Sequence, residues 1–393
     1  LRRASWSTIS SKGSLPVKDK VKLILRNLDY SLLVFLLLIL CAGFVVLDSA
    51  AVSAALRYDV DFTFQQMTAA VLGFALILCI QSMDMSRLQG FALPVYVMMN
   101  LMLLVTILFG VSVKGAQRYL AIGPIRIQPA EPAKVMMLFC MAKHLASKNR
   151  KLKTWRQLIP SLVYGFVPLL LVIALPDLGT GLVLLAILFG MLLAGGGSLW
   201  KLALLFSSGI GGAVMWIYGH LHWDWWLPLQ DYQLMRLIVF VNPEYDPRNW
   251  GWNLIQAQIT VGSGGLWGQG WGQGAQTASG YLPEQWTDFI FCVLGEEFGF
   301  IGCFVVLALF FALLMRCLMI AARAKDLFGG LVISGVVSMY AFHILQNVGM
   351  VVGIMPITGI PLPLISYGRS ALLSGMIALG MVLNVGVYRD SSP

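Results

Sequence analysis

The sequence predicts an all-α polytopic membrane protein of about ten spanning helices, with a large polar loop between the seventh and eighth. Three observations carry that expectation. Hydrophobic residues make up 58% of the chain and charged residues 11%, and mean hydropathy is +0.80, so the apolar surface exceeds what one aqueous core could bury. The apolar residues fall in runs long enough to cross a hydrocarbon core of roughly 30 Å, which takes about 20 helical residues. Lys and Arg gather in alternate gaps between those runs, as the positive-inside rule requires.

In order, the runs cover residues 30–47, 64–81, 91–111, 132–146, 158–174, 178–194, 199–218, 289–315, 327–354 and 371–387. Backbone groups in lipid have no water partner, so each run is a helix. The first is full length and reads as a span, not as a cleavable signal. The segment 1–29, with Arg2, Arg3, Lys12, Lys18, Lys20, Lys22 and Arg26, and the gap from Lys148 to Arg156 belong in the cytoplasm. Ten spans then put Arg316 to Lys325 and the tail 389–393 on the same side, leaving both termini cytoplasmic. The acids Asp48, Asp59, Asp61, Asp224, Asp231, Glu244 and Asp246 fall outside. The membrane domain is 30–388, including an outer loop 221–287 and a re-entrant loop 355–370. The net charge of +9 reads as this bias plus attraction to anionic membrane lipids, with no nucleic-acid footprint. Six cysteines stand singly without CxxC spacing, which argues against a disulfide or zinc framework.

Three outer regions carry the chemistry. In the first, residues 114–134, Gly115, Gly123, Pro124 and Pro129 forbid a regular helix. Lys114, Arg118 and Arg126 lie outside against the positive-inside rule. They either anchor lipid headgroups or hold a phosphate, for which Arg offers a two-pronged donor and Lys a point charge. Glu131 and Lys134 stand three apart at the start of the fourth span and share a face. Each costs about 2.5–3.5 kcal/mol at membrane depth, so they form a structural ion pair or serve a site.

The second region, His222 to Trp286, is polar, Trp-rich and Gly-rich and reads as a long folded loop. Its Gly262-Ser263-Gly264-Gly265 run and the later glycines, interleaved with Trp267 and Trp271, match no nucleotide-binding loop. The tryptophans form either an interfacial belt or a sugar-stacking surface. The loop delivers Asp288 to the mouth of the eighth span. Pro283 suits a first helical turn, and Glu284 and Asp288 suit the first two turns, where the helix dipole favours negative charge. Asp288 and Glu296 would stand roughly 12 Å apart along a helix axis, too far for the about 5–9.5 Å of a two-carboxylate glycosidase. One base suffices where the leaving group is already a stabilised anion. Glu296 and Glu297 are assigned to hydrogen bonds between helices, and Gly295 and Gly299 to a close-packing face.

The third region, 356–370, reads PITGIPLPLISYGRS, a rigid turn tolerated at membrane depth only where protein or a water-filled cavity covers it. Ser366 and Arg369 lie in it. Asp177, after Pro176, is either a helix cap or a cavity residue. His343 and Gln346 are expected to hydrogen-bond between helices.

Taken together, the strings GAQRYL, IQPAEPAK, PDLGT, GSGG, LPEQWTDFIF, GEEFGFIG and NVGMVVGIMPITGIPLPLISYG resemble the SEDS family of bacterial cell-wall polymerases, from the first span to the last. Gln256-x-Gln258, GSGG and Gly270-Trp271 look like its rod-elongation branch. The resemblance implies a peptidoglycan glycosyltransferase of the bacterial cytoplasmic (inner) membrane, with lipid II as donor and acceptor. Asp288 then falls on the essential carboxylate, the candidate general base. Arg118, Arg126, Glu131 and Lys134 fall on charged positions that hold pyrophosphate or shape a cavity. Gln258, Ser263, Glu284 and Ser366 lie in the matching strings as candidate substrate contacts. A class B penicillin-binding protein, a transpeptidase, would be the partner, and a divalent cation (Mg or Mn) would ride on the substrate pyrophosphate. Leu175, Pro132 and Arg369 depart from the family pattern, Arg369 at the second Gly of Ser-Tyr-Gly-Gly-Ser. Other classes remain open at this stage: a flippase for a lipid-linked precursor, or a scaffold.

Overall fold

The computed structural model describes residues 17–58, 61–83, 85–113, 116–123, 125–149, 151–226 and 230–388. A basic helix α1 (Val17–Asn27) leads into α2 (Tyr30–Tyr58) and α3 (Phe62–Gln81), and a one-turn α4 (Met85–Leu88) precedes α5 (Ala92–Phe109). Three short strands follow, β1 (Val111–Val113), β2 (Ala116–Ile122) and β3 (Ile125–Ile127), paired antiparallel in chain order. Next come α6 (Ala130–Ser147), α7 (Trp155–Ala174), α8 (Leu178–Ala194) and α9 (Leu199–Trp223).

All ten apolar runs are helices, yet among the described residues only 8 helices are both long and apolar enough to cross a membrane. The two that fall short are α6 and α8. The first carries Glu131, Lys134, Lys143 and His144, and the second has 17 residues. Both pack against α14 (Leu327–Val351) inside the bundle, so their neighbours are protein and not lipid, and the demand for an unbroken apolar surface is relaxed. The helix α9 is the opposite case, with most of its surface turned away from the rest of the chain.

The outer loop is not a loop throughout. It folds into α10 (Asp231–Val241), α11 (Trp250–Ser263) and α12 (Ala275–Ser279). Gln230 and Gln233 form a reciprocal cap at the start of α10, a local signal that the surrounding Trp and Gly content obscures. The long α13 (Ile290–Ala322) is broken at Gly299, whose φ of 66° no helix accommodates. The break matches the glycine run. Gln269 and Gly270 donate backbone N–H groups to the carbonyls of Glu296 and Glu297, and Phe300 and Ile301 donate to Gly265 and Leu266. The run thus inserts into α13 like a strand, satisfying the groups that the break frees.

The two glutamates beside the break hold the same joint. Buried Glu296 accepts from the backbone N–H groups of Gln276 (2.7 Å) and Thr277 (2.9 Å) and from the Thr277 hydroxyl (2.6 Å). Buried Glu297 accepts from the Ser49 hydroxyl on α2. Gly295 faces Val261 of α11 and Gly299 faces Gly268, so their close contacts are with the outer segment instead of another spanning helix. Trp267 and Trp271 remain exposed.

The last helix, α15 (Arg369–Val387), packs on α3 and is the most enclosed of the spans. Between α14 and α15, residues 352–368 run irregularly through the bundle, with Ile360, Leu362, Leu364 and Ile365 almost fully buried.

A Cβ on Gly268 would lie 2.2 Å from the Glu297 carbonyl oxygen, at a φ of +82°. Gly268→Ala is therefore expected to destabilise the protein by about 1–3 kcal/mol through overpacking. Thermal unfolding in detergent checks this as a lowered midpoint relative to Gly272→Ala, where nothing lies within 4 Å of the added carbon.

Candidate active site

One cavity of about 1080 Å³ gathers most of the polar groups singled out in the sequence. Its walls are β2 and β3, the first turn of α6, the cap of α8, α10, the turn before α13, the irregular segment 352–368 and the start of α15. At one edge it reaches Leu72, an exposed residue on the bundle surface.

Asp288 is half-buried in the wall of this cavity. Turns run from Pro283 to Phe289, and α13 begins only at Ile290, so Asp288 precedes the helix instead of lying in its first turns. The cause is on both sides of it. Glu284 takes a left-handed φ of 55°, and three successive carbonyls that a helix would use internally are taken by other partners. Trp286 O accepts from Tyr367 N (2.9 Å), Thr287 O from the Ser366 hydroxyl (2.6 Å), and Asp288 O from Asn347 Nδ2 (2.8 Å). Asn347 also donates to Ile360 O at 2.8 Å. The turn carrying the carboxylate is thereby tied to α14 and to the segment 352–368.

Arg236, on α10, is set beside this carboxylate. A Cβ placed on Gly359 would lie 3.2 Å from Asp288 Oδ2 and 3.6 Å from Arg236 Nη1, so the two side chains flank one bare glycine. The guanidinium also sits 5.5 Å over the Tyr232 ring, a cation–π contact. Burial pushes the Arg236 guanidinium below its usual range, and the Asp288 charge opposes that shift.

Deeper in the cavity, Lys134 Nζ lies 2.9 Å from a Glu131 oxygen, both residues buried, and 3.2 Å from His343 Nε2. His343 Nδ1 lies 3.3 Å from Pro361 O. A carbonyl only accepts, so Nδ1 carries the proton and Nε2 accepts from Lys134. Nearer the mouth, Asp177 both caps α8, accepting from Thr180 N (3.2 Å) and Oγ1 (3.0 Å), and faces the cavity. It accepts from Gln128 (3.1 Å) and stands 3.9 Å from Arg118. Arg118 donates to Pro176 O and to the Tyr232 hydroxyl.

Of the sequence candidates, Arg118, Glu131, Lys134, Glu284 and Asp288 line the cavity, as does Arg369 at its rim. Arg126 lies on β3 opposite Ala121, and Lys114 lies outside the described residues. Ser366 sits behind the wall as a clamp. Gln258 and Ser263 are not brought in: Gln258 is exposed on α11 against Gly353, and Ser263 donates to Thr260 O and packs by Glu296. The residues missed in the sequence are Arg236 and Asn347. The signal for Arg236 was available, an outer arginine against the positive-inside rule like Arg118. Asn347 carried no such signal, because a neutral amide near a helix end has no charge cost to betray it.

This fold and cavity define a polytopic membrane protein with a charged reaction chamber in one end of its helical bundle. The cell cycle protein family FtsW/RodA/SpoVE matches residues 30–391. The chain is 36% identical over 366 residues to the peptidoglycan glycosyltransferase MrdB of Escherichia coli K12, covering 92% of this chain and 94% of that one. It is 31% identical to the peptidoglycan glycosyltransferase RodA of Treponema pallidum, covering 91% and 97%. Among solved structures, a chain from a peptidoglycan synthase complex described as coordinating polymerization and crosslinking superposes with a TM-score of 0.76 at 30% identity, covering 93% and 99%. The rod shape determining protein RodA of Thermus thermophilus gives 0.66 at 29%, covering 92% and 98%. The chain belongs to the FtsW/RodA/SpoVE family, also called SEDS, and is a glycosyltransferase of the RodA type.

Asn347→Leu leaves the Asp288 and Ile360 carbonyls without their donor. Each unpaired buried group costs about 1–3 kcal/mol, so a lower unfolding midpoint is expected, together with a loss of glycosyl transfer. Unfolding and product formation measured on the same preparation check both.

Proposed function

We propose that the chain polymerises lipid II into glycan strands during cell-wall elongation, with Asp288 as general base. The acceptor sugar hydroxyl gives its proton to the Asp288 carboxylate, and its oxygen attacks the anomeric carbon of the donor from the face opposite the phosphate. The bond from that carbon to the phosphate oxygen breaks, and polyprenyl pyrophosphate leaves with the electron pair. No acid is required, because the leaving group is a stabilised anion. Arg118 and Lys134 supply positive potential to the developing charge in a partly enclosed chamber, where such groups act more strongly than in open water.

One observation carries this reading. A single cavity of a size suited to a bulky ligand brings Asp288 together with Arg118 and Lys134, and extends to Leu72, exposed on the apolar face of α3. A soluble head group and a membrane-bound tail can therefore be served at once. Lys and Arg placement supports an orientation with this cavity on the outer side of the bacterial cytoplasmic membrane and both termini inside. A class B penicillin-binding protein is the partner by analogy with the synthase complex that this fold matches. Among the described residues no group of three or more His, Cys, Asp or Glu side chains could hold a metal ion. A divalent cation is accordingly assigned to the substrate pyrophosphate, whose charge it would neutralise.

The test is Asp288→Asn, purified with the transpeptidase partner and supplied with lipid II. Removing a general base costs about 10²–10⁴-fold, so polymer is expected to fall at least a hundredfold while unfolding and partner binding stay unchanged. Normal glycan from this variant contradicts the assignment, and lipid translocation in proteoliposomes without polymer would place the chain among transporters.

A further inference from the structure

We infer that Arg236 is a catalytic residue, the cation that the Asp288 carboxylate releases to the departing pyrophosphate as the proton is taken. This inference rests on the glycosyl-transfer reading and adds a named contact to it.

The charged groups around the cavity have partners of unequal permanence. Lys134 is held by Glu131 and His343, and Arg118 by Asp177, Pro176 O and the Tyr232 hydroxyl. None of these partners changes charge in the reaction. Arg236 differs, because the acid set beside it is Asp288, the group that becomes neutral. The two flank Gly359, and both line the cavity. When Asp288 gains the acceptor's proton, a half-buried guanidinium loses its counter-charge, which is costly in a medium of low polarity. At the same instant the phosphate oxygen gains an electron pair as its bond to the anomeric carbon breaks. Moving the attraction of Arg236 from carboxylate to phosphate keeps the chamber's charge balanced throughout, and the gain arises only as the transition state forms.

The setting suits this transfer. The Tyr232 ring lies 5.5 Å from the guanidinium, and its hydroxyl is fixed by donating to Pro176 O at 2.8 Å. Gln233 donates to the same carbonyl at 3.3 Å. The aromatic platform is thus anchored to the start of α8, so Arg236 has a fixed base from which to swing its fork. Arginine matches phosphate geometry with two parallel N–H donors. Gly359, at a φ of +72°, leaves the space between carboxylate and guanidinium open, and any side chain there would stand against the Asp288 oxygen.

Other ionisable groups face the pair. They are Arg118 from β2, Asp177 from the α8 cap, Tyr232 from α10 itself and Glu284 from the turn before α13. Lys134, Glu131 and His343 line the deeper end, and Arg369 the rim. A cation beside a carboxylate favours its charged form, so deleting Arg236 removes that support and moves the acid limb of the pH–rate profile to higher pH.

The experiment is steady-state polymerisation of lipid II by the complex with its transpeptidase partner, measured across pH for wild type, Arg236→Gln and Arg236→Lys. The glutamine variant is expected to lose about a hundredfold or more in kcat, with KM changed far less and the acid limb displaced upward. The lysine variant keeps the charge without the fork and is expected between the two, with its acid limb near that of wild type. A folded Arg236→Gln with wild-type kcat and acid limb overturns the inference, as does a limb moved to lower pH. Should the glutamine variant fail to fold, a lysine variant at wild-type kcat overturns it equally. The outcomes separate from those of the parent reading: an active Asp288→Asn defeats glycosyl transfer by this base, whereas an inactive Asp288→Asn beside an unimpaired Arg236→Gln defeats only the role of Arg236.

Discussion

Irregular backbone inside a helical membrane bundle survives only if every N–H and C=O finds a partner, and the rest of this architecture follows from how residues 352–368 meet that condition. Gln66 on α3 donates to Ser366 O and accepts from Gly368 N. His343, Gln346 and Asn347, on one side of α14, lie at the carbonyls of Pro361, Pro356 and Ile360. Two of the same contacts extend to the neighbouring turn, through Ser366 to Thr287 and through Asn347 to Asp288. The requirement to satisfy a buried loop is therefore also what fixes the carboxylate. A reactive group on a surface loop would lack this rigidity, and a misplacement of about 1 Å is enough to cost on the order of a hundredfold in rate.

The charges around the cavity obey a second economy. Acids and bases alternate along the wall: Arg118 with Asp177, Lys134 with Glu131, Arg236 with Asp288. Each cation is held in the cavity wall beside an anion, which offsets much of the cost of burying it. The enclosed helix α6 can hold Glu131 and Lys134 because it faces α8, α14 and α15 instead of lipid. Relief from lipid contact thus explains both why α6 falls below the hydropathy of a span and why it can bear a site.

Much of this was legible in the sequence, for reasons that differ by element. The ten helices were visible because lipid imposes length and composition on a span. Glu131 and Lys134 were visible because charge at membrane depth is expensive, Arg118 because it breaks the positive-inside rule, and Asp288 because a long polar loop delivers it to the mouth of a span. The outer segment was misread as loop: tryptophans and glycines hide the periodicity of α10 and α11, and only the paired glutamines at 230 and 233 mark a helix start. Gly299 was read as a helix-packing position, whereas its partner is the glycine run some thirty residues earlier, a long-range pairing that no local pattern reports. The glycine run was recognised only as matching no nucleotide-binding loop, whereas its Gly264 and Gly268 pack directly against the backbone of α13. Asp288 was placed in a helix because its local spacing permits one, and tertiary hydrogen bonds to Ser366, Tyr367 and Asn347 override that preference.

A structure of the complex with an uncleavable phosphonate analogue of lipid II, together with an acceptor glycan, tests the central claim most directly. It is predicted to show the acceptor hydroxyl at hydrogen-bond distance from an Asp288 carboxylate oxygen, about 2.6–3.2 Å, with the diphosphate among Arg118, Lys134 and Arg236. A sugar bound elsewhere, or an Asp288 turned away from an occupied chamber, would contradict it.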